Sequence, residues 1–68
     1  MTQPTEFGKE VKKKLVDINQ TQSWLIDQVR EKTGMFLDNG YLNKIMIGRR
    51  NAPKIVQAIR EILELPKA

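Results

Sequence analysis

The sequence predicts an all-α fold of four to five short helices, and three observations carry that prediction. Apolar residues recur at helical spacing in four separate stretches, and helix-capping and helix-stopping residues fall between those stretches. Nowhere does the strict apolar-polar alternation of a strand appear, and there is no internal repeat or low-complexity segment.

Residues 1 to 4 read as a flexible N-terminus, because Pro4 disfavours regular structure before it. A first helix is expected from Thr5, with Phe7, Val11, Leu15 and Ile18 on one inward stripe. Lys9, Lys12, Lys13 and Lys14 fall largely on its solvated side. Asn19 and Gln20 break the pattern. Thr21 then suits the N-cap of a second helix, whose apolar residues are Trp24, Leu25, Ile26 and Val29 and whose end is expected near Lys32, with Gly34 as the stop.

The apolar connector Met35-Phe36-Leu37 is too short for a helix and is expected to tuck into the core. Asp38 caps a third helix running to Ile47, with Leu42, Ile45 and Met46 turned inward and Gly48 stopping it. A basic turn, Arg49-Arg50-Asn51, leads to a fourth helix. Asn51 is its expected cap, Pro53 lies in its first turn, and Ile55, Val56, Ile59, Ile62 and Leu63 face the core. Order is expected to end at Leu65-Pro66, which leaves one domain over 5 to 65 and a C-terminal tail over 66 to 68.

A chain of 68 residues builds one small core and has no room for a deep active site. It contains no cysteine and no histidine, which excludes disulfides, the usual zinc sites, thiol nucleophiles and the commonest general base. Asp27, Glu31, Glu61 and Glu64 sit at helical spacing beside basic residues, as solvating charges do. The expectation is a protein that is not an enzyme, with no cofactor, no metal and no small-molecule ligand. No signal-like segment and no membrane-length apolar run appear, so a cytoplasmic location without a membrane partner is expected.

Twelve Lys and Arg against eight Asp and Glu give a net charge of +4, which favours a polyanionic partner. The arrangement matters more than the sum. With Leu42, Ile45 and Met46 inward, Asn39, Gly40, Tyr41, Asn43 and Lys44 share the outer faces of the third helix. Asparagine pairs bidentately with adenine, lysine donates to guanine acceptors, tyrosine meets a thymine methyl or a phosphate, and glycine allows close backbone approach. An ordinary amphipathic helix with a solvated polar face has the same periodicity. Arg49, Arg50 and Asn51, directly after this helix, suit backbone phosphate, as do Thr21 and Gln22 at the start of the second helix. Trp24 and Phe36 are read as core residues rather than as platforms for stacked bases.

These segments resemble the phage-repressor and Cro-like helix-turn-helix family, also called the Xre family, over about Phe7 to Leu65. Gln22-Ser23-Trp24-Leu25-Ile26 is similar to the family's opening of the bracing helix, and Leu42 to Gly48 to its recognition segment. Arg49-Arg50-Asn51-Ala52-Pro53 is similar to its basic turn and proline. The resemblance implies a small lambda-repressor-like domain that binds a double-stranded DNA operator as a transcriptional regulator, with a homodimer possible on a palindromic site. It also implies that Asn39, Gly40, Asn43 and Lys44 lie against base edges, that Gln22, Arg49 and Asn51 hold the backbone, and that Tyr41 either touches DNA or supports the connector. The chain departs from the family in having Ile26 at its small-residue position and a longer path from Gln22 to Gly48, which implies an extended loop between the two motif helices. A protein-interaction adaptor or inhibitor built on the same helices is the alternative.

Overall fold

Each helix begins and ends for a local reason in the computed structural model, which describes residues 5–65. The expected flexible N-terminus, 1–4, and tail, 66–68, lie outside the described residues. Among those residues there are four α-helices and no strand. None of the helices is long and apolar enough to cross a membrane.

Helix α1, Glu6–Asp17, is capped by the Thr5 hydroxyl, which accepts from the Gly8 N–H at 3.2 Å. Its end is a Schellman turn: Asn19 adopts φ 58°, its N–H donates to the Val16 carbonyl, and the Gln20 N–H donates to the Leu15 carbonyl. The turn takes Ile18 off the inward stripe, and Ile18 is exposed where the spacing placed it in the core.

Helix α2, Gln22–Thr33, has the expected Thr21 cap, accepting from the Trp24 N–H at 3.1 Å. Gly34 ends it at φ 69°, with its N–H on the Arg30 carbonyl at 2.8 Å. Helix α3, Asn39–Met46, is capped by Asp38, whose Oδ1 accepts from the Tyr41 N–H at 2.7 Å. Helix α4, Pro53–Leu63, differs from expectation at its start. Pro53 is the first helical residue, so the cap position falls on buried Ala52 and no side chain caps the helix; Asn51 lies one residue too early.

All four helices feed one buried cluster. Val11 and Leu15 come from α1, Leu25, Ile26 and Val29 from α2, Leu42, Ile45 and Met46 from α3, and Ile55, Ala58, Ile59 and Leu63 from α4. Val56 and Ile62 are only half-buried at its edge, together with Phe7, Trp24 and Tyr41. Helix α2 packs most extensively on α4, while α1 rests on both α3 and α4.

The connector does not tuck in as a block. Leu37 is 1% exposed, but Met35 is 40% and Phe36 67% exposed. A short non-helical segment held at both ends by helix caps inserts one side chain and leaves its neighbours outside. The opposite end of α3 is tied down by Thr5, whose N–H and hydroxyl both donate to the Met46 carbonyl, at 2.9 and 2.8 Å.

Candidate nucleic-acid interface

Helix α3 carries two faces that follow from its 100° step per residue. Leu42, Ile45 and Met46 are buried, and Asn39, Gly40, Asn43 and Lys44 are exposed on an arc of about 140° on the other side. Tyr41 falls at the border between the two and is half-buried against the edge of the core. Of the five residues predicted to face bases, four therefore stand free in solvent and one does not.

The turn after α3 is built by its backbone. Gly48, at φ 83°, lets its own N–H reach the Ile45 carbonyl at 3.2 Å and the Arg49 N–H reach the Lys44 carbonyl at 2.8 Å. A Cβ at Gly48 would also lie 3.1 Å from the Thr5 methyl, so glycine is favoured there both by its positive φ and by the tight space. This turn sets Arg49, Arg50 and Asn51, all exposed, directly beyond the helix C-terminus, where cations interact favourably with the helix dipole. The Arg50 guanidinium sits 5.9 Å from the centroid of the Tyr41 ring, so the turn folds back along the helix it follows.

Next in the chain comes the uncapped start of α4, beside exposed Lys54. Its first-turn N–H groups have no side-chain acceptor. Thr21 and Gln22 are a separate feature at the start of α2. Thr21 is exposed and Gln22 half-buried, and no hydrogen bond or ion pair among the described residues joins either to α3 or to the basic turn.

A charge asymmetry accompanies this geometry. The segment from Asn39 to Arg60 contains five cations and no carboxylate, whereas the rest of the chain has seven cations against eight carboxylates. The +4 of the whole chain is thus +5 on α3, the turn and most of α4, and −1 elsewhere. Four of the five, Lys44, Arg49, Arg50 and Lys54, are exposed. The fifth, Arg60, is engaged between the Phe7 ring at 5.0 Å and Glu10 at 4.0 Å.

Two further contributors lie outside the periodicity of the helices. Thr5 fastens the end of α3 from 41 residues away, and periodicity carries no signal for such a contact. The carboxylate-free segment was legible, since it needs only the positions of acidic residues along the chain. Compared with protein-family models, curated proteins and solved structures, the chain finds no match.

Proposed function

We propose that the chain is a sequence-specific, double-stranded DNA-binding transcriptional regulator of the phage-repressor, Cro-like kind. In this reading α2 and α3 act as a helix-turn-helix pair with an extended loop, and α3 enters the major groove. The observation that carries the proposal is the coincidence of an exposed polar arc on α3 with a carboxylate-free, cationic segment starting at that same helix. Asn39, Asn43 and Lys44 read base edges, and Gly40 lets the backbone come close. Arg49, Arg50, Asn51 and the uncapped start of α4 take phosphate on one side, and Thr21 and Gln22 take it on the other. Two copies on a palindromic operator, reading half-sites about 34 Å apart, complete the arrangement. The protein acts by occupying DNA and performs no chemistry.

Selection of bound sequences from a random duplex pool, at stated salt, tests this directly. Recovery of a defined sequence, broadened by Asn43→Ala or Lys44→Ala at single base positions, is the expected result. Arg49→Ala weakens all duplexes alike and lowers the salt slope by about one. Unchanged preference in both α3 variants sinks the proposal.

One observation favours a second reading. Met35 and Phe36 are exposed beside a hollow rimmed by Asp27, Arg30 and Glu31, the kind of apolar patch that docks protein. A protein-interaction adaptor would use that hollow and would bind duplex DNA without a steep dependence on salt.

A further inference from the structure

We infer that Tyr41 is a positioning residue, whose ring holds the Arg50 guanidinium ready for a backbone phosphate. The inference rests on the proposed DNA-binding function and assigns Tyr41 a role distinct from base reading.

The ring is held along one edge. Tyr41 is half-buried and packs at the edge of the core, and its own N–H is held by the Asp38 carboxylate at 2.7 Å. Arg50 arrives from the far end of the same helix. Its N–H donates to the Lys44 carbonyl at 3.2 Å, and its guanidinium then lies 5.9 Å from the Tyr41 ring centroid, within the range of a cation-π contact. Both ends of the side chain are therefore placed, although Arg50 itself is exposed.

What orients Arg50 matters as much as the fact that it is oriented. Among the described residues no carboxylate pairs with it; the ion pairs there join Lys32 to Glu61 and Arg60 to Glu10. A carboxylate would occupy the N–H fork that a phosphate needs. A cation-π contact at 5.9 Å uses none of the guanidinium's N–H donors and leaves them open for a bidentate phosphate contact. The contact thus favours one placement of a long side chain without consuming its hydrogen bonds, and less ordering entropy remains to be lost on binding.

The experiment is a cycle of Tyr41→Ala, Arg50→Ala and the double variant, with Tyr41→Phe beside them. Affinity for a short mixed-sequence duplex is measured across a salt series, and melting of each variant is followed by circular dichroism. Tyr41→Ala is expected to lose about two- to fivefold in affinity in the parent and almost nothing when Arg50 is already alanine. Tyr41→Phe, which keeps the ring, binds as the parent does. In the protein without DNA, ring-current shifts of the Arg50 side-chain protons disappear in Tyr41→Ala and persist in Tyr41→Phe. Losses that multiply across the cycle, a Tyr41→Phe variant as weak as Tyr41→Ala, or absent ring-current shifts overturn the inference while leaving DNA binding intact. Ring-current shifts with no salt-dependent duplex binding overturn the proposed function, and the phosphate role of Arg50 with it.

Discussion

Before α3 the chain is anchored in the core by one side chain, Leu37, which is 1% exposed between the exposed Phe36 and the capping Asp38. After α3 it is anchored by backbone: the Gly48 turn and the two hydrogen bonds from Thr5 to the Met46 carbonyl. A side-chain anchor leaves its neighbours free to vary, and Met35 and Phe36 stand in solvent. A backbone anchor fixes the path of every residue in the turn, and that is where Arg49 and Arg50 lie. The better-held side of α3 is the side that carries charge.

The contrast is broken most severely at Leu37. Leu37→Ala removes the only buried side chain of the connector and is expected to cost about 2–5 kcal/mol. A chain of this length has about 3–10 kcal/mol in total, so the variant is largely unfolded or melts far below the parent in urea or heat. Phe36→Ser, one residue away, is expected to stay within about 0.5 kcal/mol of the parent. Equal losses at the two positions would mean that the connector is buried as a unit.

On the other flank the sensitive position is Gly48. Gly48→Ala forces a side chain into the left-handed region and places its Cβ 3.1 Å from the Thr5 methyl. The expected cost is about 1–2 kcal/mol, read by urea denaturation. Adding Thr5→Ser keeps the capping hydroxyl but removes that methyl, so the double variant recovers part of the loss. A double variant no better than Gly48→Ala would assign the whole cost to φ.

These two flanks also show what was legible in the sequence. Thr21, Gly34, Asp38 and Gly48 announced their turns, because caps and left-handed glycines act within one helical turn of their own position. The local expectations that failed did so for reasons equally local. Ile18 kept helical spacing past the point where Asn19 turns the chain, Asn51 missed the cap position by one residue because Pro53 starts the helix, and Phe36 was apolar on a segment with room inside for Leu37 alone. The inward face of α3 was legible, and so was the exposure of Asn39, Gly40, Asn43 and Lys44, since one periodicity dictates both. The seating of Arg50 over Tyr41 was not, because it depends on how the turn folds back and on no spacing within a helix.

Asp38 tests the entry to α3 on a smaller scale. Asp38→Ala leaves the Tyr41 N–H without its acceptor at 2.7 Å and is expected to cost about 1 kcal/mol, whereas Asp38→Asn keeps an oxygen there and stays close to the parent. Asp38 is also the last carboxylate before the cationic segment. Asp38→Asn is therefore expected to tighten duplex binding at low salt, with the gain vanishing as salt rises. Tightening that persists at high salt would point to a new contact made by the amide.

A substitution at Gly40 separates folding from recognition most cleanly. Gly40 is exposed in the first turn of α3, has no left-handed φ, and a Cβ there meets only Asp38 Oδ1 at an ordinary 3.6 Å. Nothing in the fold requires glycine at this position, and alanine has the higher helix propensity, so Gly40→Ala is expected to raise stability by at most about 1 kcal/mol. Where α3 lies against base edges, the same methyl stands between helix and groove and weakens DNA binding. A variant that melts higher and binds DNA less tightly shows that the glycine serves the partner; one that melts higher and binds as before removes Gly40 from the interface and leaves Asn39, Asn43 and Lys44 to carry it.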